Sequence, residues 1–267
     1  MGLAEEDLPQ VILESLFLLP RMTGDGDPLP ISGVRGWISG RPTPYLNRVG
    51  LKNKVDADSK IAEVIEFFRA NGKGFTLVLG PGEINAGLGA KLLSKGLRPA
   101  RFCSLGGMYC TIQHRRACDS IILKPVELDR IENVTDIIAR SYGIDPRDVE
   151  GIWGAKVLPP ALYWQLYVAC LNDAAQTPVG FGASALVENG RVLLLRGSGV
   201  LPEYRKRGIY RELALQRMAL ALEQGVEQAI VQSARSSSHA VLKSIGFKEV
   251  CSIELYEWSP ACCSVSC

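Results

Sequence analysis

The stretch that most constrains this chain is "GVLPEYRKRGIYRELALQR", residues 199–217. It starts as a strand, breaks at Pro202, passes through Arg205, Lys206 and Arg207, turns at Gly208 and continues as a helix. On the helix to about Gln224, Glu212, Gln216 and Glu223 fall on one narrow stripe at 100° per residue. Ile209, Leu213, Ala214, Leu215, Met218, Leu220, Ala221 and Leu222 cover most of the remaining surface. Such a helix is largely buried and packs on a sheet. Its N-terminus then lies at the end of that sheet, where free N–H groups and the helix dipole make an anion site. Three cations precede the first turn, and Gly208 lets a ligand approach the backbone closely. The residues describe a receptacle for phosphate groups.

Just upstream, "LLLRGSGVLP" carries Gly197 and Gly199. Glycine inside a strand marks a bulge or a close backbone approach. A bulge here splays the strand from its neighbour and frees backbone N–H groups for a ligand.

The flanking sequence supplies the rest of an α/β unit. "IILKPV" reads as a strand. "LDRIENVTDIIARSYG" and "DPRDVEGIWGAK" read as helices, the first closed by Gly143 and the second opened by Asp145–Pro146. "ALYWQLYVAC", "VGFGASALV" and "RVLLLRGSGVL" are strands in series, the last two joined through Asn189–Gly190, a strong hairpin signal. Strand "EQAIVQ", helix "SSHAVLKSIG" and the strands of "FKEVCSIELYEW" follow, giving the order β-α-α-β-β-β-α-β-α-β.

Upstream lies a smaller α/β region. "LPQVILESLFLLP" is an amphipathic first helix, too short to span a bilayer, and it lacks the basic start and cleavage site of an export signal. Residues 21–54 read as an irregular connection passing over a site. "DADSKIAEVIEFFRANGKG" is a helix with Ile61, Val64, Ile65 and Phe68 on one face. "FTLVLGPG" is a buried strand, "NAGLGAKLLSKGL" a short helix and "GMYCTI" a strand. "QHRRACDS" is a solvated linker. The expected organisation is an N-terminal α/β domain over 1–115, a second domain over 120–260 and a Cys-rich tail over 261–267.

Composition excludes several classes. Lys plus Arg is 30 against 28 Asp plus Glu, too even for a nucleic-acid binder working by bulk charge, so any anion site is local. None of the eight cysteines pair at zinc-site spacing and only two histidines exist, so no metal is expected. The tail "CCSVSC" is no prenylation box, because residue 264 is serine. Gly80-x-Gly82-x-x-Asn85 lacks the third glycine of a dinucleotide loop, and no Gly-Lys-Ser/Thr follows.

"VLPEYRKRGIY" resembles motif A of the GNAT superfamily of acyl-CoA N-acyltransferases, with Arg205 and Gly208 in place and Tyr210 departing at the last position. "LKSIGFKEV" is similar to the family's motif B ending, and the element order from residue 121 to 258 is the family's order. "GFTLVLGPG" and "LLSKGLRPA" resemble the N-terminal part of two-domain members, a degenerate GNAT-like half without its own cofactor loop. The resemblance implies an α/β GNAT fold: a mixed central sheet flanked by helices, with a smaller N-terminal α/β domain. It implies acetyl-CoA or another acyl-CoA as co-substrate, its pyrophosphate on the amides of Arg205, Lys206, Arg207, Gly208, Ile209 and Tyr210. The pantetheine would run along Val200 and Leu201, and the acyl carbonyl would take a backbone N–H near Val200.

The family's usual general-base Glu has no counterpart in "RVLLLRGSGV", and Leu242 stands where a general-acid Tyr is frequent. Catalytic residues stay open. Ser238 and His239 at the start of the motif B helix and Tyr256 in the last strand are the candidates, against ordinary readings as a helix cap, a first-turn residue and a paired sheet tyrosine. Tyr163, Trp164 and Tyr167 read as core, with one available to line an acceptor pocket. The expected activity is transfer of an acetyl or other short acyl group to an amine, of a small molecule since no acidic tract attracts a basic peptide. A non-catalytic acyl-CoA sensor and a protein N-acetyltransferase are the alternatives. A cytosolic monomer or homodimer, with no nucleic-acid or membrane partner, completes the expectation.

Overall fold

The computed structural model describes residues 3–18, 26–52, 56–114, 119–127, 131–132, 134–153 and 163–260. The Cys-rich tail, Cys118 and the centre of the basic linker lie outside the described residues.

Helix α1 spans Leu8–Ser15, followed by strands β1 (Asp27–Pro28), β2 (Val34–Ile38) and β3 (Arg48–Leu51). Helix α2 (Ala57–Ala70), strand β4 (Phe75–Leu79) and helices α3 (Pro81–Asn85) and α4 (Leu88–Ser94) lead into the long strand β5 (Arg98–Thr111). Strand β6 (Ile121–Val126), helices α5 (Thr135–Tyr142) and α6 (Pro146–Trp153), and strands β7 (Tyr163–Leu171), β8 (Pro178–Val187) and β9 (Val192–Val200) follow. Helix α7 (Ile209–Glu223), strand β10 (Gln228–Ala234), helix α8 (His239–Ser244) and strand β11 (Lys248–Trp258) complete the order expected from residue 121 onward.

The eleven strands of the described residues form one mixed sheet in the order β1-β2-β3-β4-β11-β5-β10-β9-β8-β7-β6. The two halves of the chain exchange strands at its centre. β5 pairs antiparallel with β10 from Leu105 to Thr111 and with β11 on its other edge. β11 in turn pairs antiparallel with β4. Two parallel β-α-β units flank this junction, β3-α2-β4 and β9-α7-β10.

Helices cover both faces. Leu8, Ile12 and Leu16 of the α1 region and Ile138 and Ala139 of α5 share a core with Leu105, Phe181, Ala183 and Ile253. On the other face Ala214, Leu215 and Met218 of α7 and Leu242 of α8 pack on Met108, Leu193 and Val231. There α2 lays Ile61, Val64, Ile65 and Phe68, its expected apolar stripe, over Val49, Leu77 and Leu79. Helix α7 departs from expectation on its polar stripe. Glu212 is buried, and Gln216 Nε2 donates to the Ile121 carbonyl at 2.8 Å, so this face docks on the sheet's far edge instead of facing water. Among the described residues, no helix is long and apolar enough to cross a membrane, and no three His, Cys, Asp or Glu side chains are placed to hold a metal.

Candidate active site

The parallel pairing of β9 and β10 is short. It runs from Val192 opposite Gln228 to Leu194 opposite Ile230 and stops. Beyond Leu194, β9 stays paired to β8 through Val200, but its β10-side edge has no strand partner. Gly197 causes the divergence. It is the extra residue where the β8–β9 register slips between Gly182 and Ala183, and its φ is 48°. Gly199 does a different job: a Cβ there would meet Ser141 of α5 at 2.6 Å and Phe181 at 2.8 Å. The expected bulge and the expected close approach are thus both present, one at each glycine.

A buried cation fixes the bulge. Arg217 of α7 donates from Nη1 to the Ala183 carbonyl at 2.6 Å, from Nη2 to Ser198 Oγ at 2.7 Å and from Nε to the Leu213 carbonyl at 2.9 Å. Burial lowers its pKa to about 10, with nearby tyrosines opposing the shift. Nothing in the sequence singled this residue out, because an Arg on a helix ordinarily faces solvent.

Between the splayed strands lies a cavity of about 550 Å³. Of the eight residues expected to bind the co-substrate, Val200, Arg205, Lys206, Gly208, Ile209 and Tyr210 line it, while Leu201 and Arg207 do not. Gly208 is the N-cap of α7 at φ 78°, and a Cβ there would meet nothing within 4 Å. The protein's own demand for glycine here is therefore conformational; crowding plays no part. Lys206 also adopts a left-handed φ, 61°. The three cations divide their work. Arg205 ties the loop to the rest of the site, its Nη2 donating to the Ser141 carbonyl at 2.9 Å and its Nε to the Val200 carbonyl at 3.1 Å. Arg207 lies over the Tyr204 ring at 5.2 Å. Lys206 is exposed beside the helix N-terminus.

The N-terminal half supplies part of the cavity wall. Tyr45 and Arg48 form one wall, with Leu16, Phe102 and Leu105 beside them. The irregular connection that carries Tyr45 is held rigid by Asn47, which is fully buried. Its Nδ2 donates to the carbonyls of Arg41 at 3.0 Å and Gly74 at 2.8 Å, and its Oδ1 accepts from the Ser39 backbone at 2.7 Å and the Ser39 hydroxyl at 2.9 Å. A single amide thus satisfies a loop that has little backbone pairing of its own.

The proposed catalytic residues separate. Ser238 lines the cavity. It stands at the N-cap of α8 without capping that helix, and it lies near enough to the Tyr210 phenol to favour that group's ionised form. His239 is not on the cavity wall. Its Nδ1 lies 3.0 Å from Ser233 Oγ and its Nε2 3.3 Å from Glu249 Oε2, on the sheet behind, so it is neither the solvent-facing residue expected nor a cavity group. Tyr256 does not line the cavity either, although its neighbour Leu255 does. Its hydroxyl donates to Glu254 Oε2 at 2.9 Å, and burial with that carboxylate pushes its pKa up to about 12. Leu242 is fully buried in the core beneath α7. Trp164 and Tyr167 are buried, as expected of core residues.

Among the described residues no Asp, Glu or His lines the cavity, so the titratable groups they place there are phenols and cations. Burial raises the pKa of Tyr142 well above the ordinary phenol value, with the Ser198 backbone opposing the shift, and burial raises that of Tyr210 too. Ser141 Oγ, on the same wall, is buried without a partner.

The family model for the acetyltransferase (GNAT) family matches residues 132–247. Comparison with curated proteins yields no match. Among solved structures, a GCN5-related N-acetyltransferase from Kribbella flavida is 14% identical over 97% of this chain and 96% of that chain, with a TM-score of 0.67. A GCN5-related N-acetyltransferase from Sphaerobacter thermophilus is 13% identical over 85% and 76%, with a TM-score of 0.59. A tandem GNAT protein from the clavulanic acid biosynthesis pathway is 14% identical over 97% of both chains, with a TM-score of 0.51. The matched segment contains the bulged strand, the cation-bearing loop and α7, the elements that build the cavity, and the fold likeness extends over the N-terminal half as well. Residues 132–247 of this chain match the model of the acetyltransferase (GNAT) family, and the chain has a GNAT-type α/β fold.

Proposed function

We propose that the protein transfers an acetyl or other short acyl group from acyl-CoA to an amine of a small molecule by direct attack. The observation that carries this reading is the splay of β9 from β10 beyond Leu194, ending at the N-terminus of α7. An open strand edge fits the amide-bearing pantetheine arm, and free helix N–H groups with Lys206 beside them fit its phosphates. The acceptor enters from the side walled by Tyr45, Arg48 and Phe102. That wall belongs to the protein itself and narrows the cavity on one side, which suits a small acceptor better than a peptide tail.

In the transfer, the amine nitrogen bonds the acyl carbon, the carbon–sulfur bond breaks and the thiolate takes a proton. Backbone N–H groups on the free edge of β9 are placed to stabilise the oxygen as charge develops. The chain's main contribution is positioning. With no carboxylate or imidazole among the described residues that line the cavity, the amine is taken to arrive neutral and to shed its proton to water. Tyr142 and Tyr210, kept protonated by burial, and Ser238 beside Tyr210 are the O–H donors at hand for the sulfur.

The same shortage of acid–base groups favours a second reading, an acyl-CoA-binding protein without turnover. Titration of the purified protein with acetyl-CoA and desulfo-CoA, followed by free-thiol release with a panel of amines, separates them. Binding with amine-dependent thiol release is expected. Binding with no release across the panel selects the second reading. Absence of binding, or binding unaffected in Gly208→Asp, sinks both.

A further inference from the structure

The cavity holds two kinds of cation. Lys206 and Arg205 are exposed on the loop before α7, while Arg48 on β3 and Arg196 on β9 are 3% and 8% exposed at the inner wall. The inner pair comes from opposite halves of the chain, and the two side chains are close enough that Arg196 helps to lower the Arg48 pKa. Neither arginine makes an ion pair with a carboxylate among the described residues. Arg48 Nη1 donates to the Leu16 carbonyl at 2.9 Å, and Arg196 Nη1 to the Ser15 carbonyl at 3.4 Å. These are the last carbonyls of α1, whose dipole supplies only about half a negative charge against two guanidinium charges. Arg48 Nε is buried with no partner, and Ser141 Oγ on the same wall is likewise orphaned.

Two adjacent buried cations without a counter-charge are costly unless an anion joins them. The guanidinium fork matches a carboxylate in size and planarity. The phosphates of the acyl donor are already served by the exposed loop and the α7 N-terminus. We infer that Arg48 and Arg196 form a carboxylate-binding subsite for the acceptor, so that the amine acylated by this protein carries a carboxylate, as an amino acid does. The inference rests on the acyl-transfer reading for its assignment to the acceptor, while the subsite itself stands on the two arginines alone.

The apolar neighbours Phe102, Leu105 and Leu255 give the rest of the acceptor an apolar bed. N-acetylphenylalanine and its neutral amide are therefore matched probes for the subsite. Thermal-shift and equilibrium-dialysis measurements on the whole protein are expected to show the acid binding at least about tenfold more tightly than the amide, since a buried charge pair of this kind is worth that much or more. Arg196→Gln and, as a variant that keeps the charge and loses the fork, Arg48→Lys are expected to abolish the preference while leaving acetyl-CoA binding in place. Equal binding of acid and amide by the wild-type protein overturns the subsite whether or not the variants fold. Thiol release then assigns it. Phenylalanine is expected to outpace phenylalanine amide with acetyl-CoA, and the gap should close in Arg196→Gln. If succinyl-CoA with phenylalanine amide is instead the pair that depends on Arg196, the carboxylate belongs to the acyl group and the acceptor assignment falls. A protein that prefers the acid yet releases no thiol keeps the subsite and loses the acyl-transfer reading.

Discussion

Arg217 Nη2 donates to Ser198 Oγ at 2.7 Å, which joins the helix after the cation-bearing loop to the strand that the bulge deflects. The same guanidinium takes up the Ala183 carbonyl, at the point where the β8–β9 register slips. Arg217 is therefore a positioning residue for the edge of β9. Arg217→Met removes a buried charge but strands these oxygens, and a net loss of about 2 kcal/mol is expected in chemical denaturation. Acetyl-CoA affinity should fall with it. Arg217→Lys cannot span the three acceptors, and it should lose affinity as well while retaining the charge. Normal affinity in both variants would show that the bulge holds without its clamp.

Arg205 and Gly208 stand in the same loop and should fail differently. Arg205→Ala cuts the bonds to the Ser141 and Val200 carbonyls, so it is expected to loosen α5 and lower thermal stability as well as affinity. Gly208→Ala meets no neighbour and pays only for its φ of 78°, about 1 kcal/mol. Its acetyl-CoA affinity should stay within severalfold of the wild type. Gly208→Asp, which adds a negative charge at the helix N-terminus, should lose at least about tenfold. Calorimetric titration of the three variants decides. If Gly208→Ala proves as weak as Gly208→Asp, the backbone geometry matters more than the charge.

The cavity wall makes a pH prediction. Among the described residues it carries no carboxylate or imidazole, and burial holds the Tyr142 and Tyr210 phenols above their ordinary pKa, so both stay protonated through neutral and mildly alkaline pH. The kcat/KM for thiol release should then rise with pH along the ionisation of the acceptor amine itself. Two acceptors whose amine pKa values differ by about one unit should give inflections that differ by about one unit. An inflection near 6–7 that ignores the acceptor would reveal a general base that the described residues do not show.

The sequence made the C-terminal half legible because its signals are local. Pro202, the cation run, Gly208 and the apolar helix all report on one strand-to-helix junction, and Gly197 and Gly199 mark a bulge and a close approach that the structure contains. Asn189 and Gly190 do sit in a hairpin loop, with φ of 56° and 84°. The missed features depend on partners distant in sequence. The first half of β5, "RPARFCSL", alternates poorly and contains a proline, yet it is strand because β11 pairs with it. Arg48 stands in a stretch read as an irregular connection, which the structure folds into strands β1 to β3, and Arg196 looks like an ordinary strand arginine until the fold brings β3 and β9 to one cavity. Asn47 reads as a turn residue until Gly74 and Arg41 close around it. His239 and Tyr256 were candidates by residue type, and only the tertiary positions of Glu249, Ser233 and Glu254 reveal their other employment.

The exchange of β5 and β11 predicts how the chain folds. Cutting near residue 117 leaves the C-terminal piece with β10 lacking its β5 partner and β11 lacking both β4 and β5. Exposed strand edges of that length invite aggregation. The N-terminal piece loses the strand between β4 and β5, and with it the ring stack of Trp258 on Phe75 at 5.8 Å. Each piece expressed alone is expected to be insoluble or to lack cooperative melting. Co-expressed pieces are expected to assemble into a soluble complex that melts in a single transition, because every lost strand pairing can re-form between them. Hydrogen exchange should show β5 and β11 among the most protected strands of the intact protein. A C-terminal piece that alone melts cooperatively and binds acetyl-CoA would show that the halves are independent, with the exchanged strands an ornament on a self-sufficient domain. The expected failure would instead show that the cavity, whose wall takes Tyr45 and Arg48 from one half and Arg196 and Tyr142 from the other, is inseparable from the folding of the whole chain.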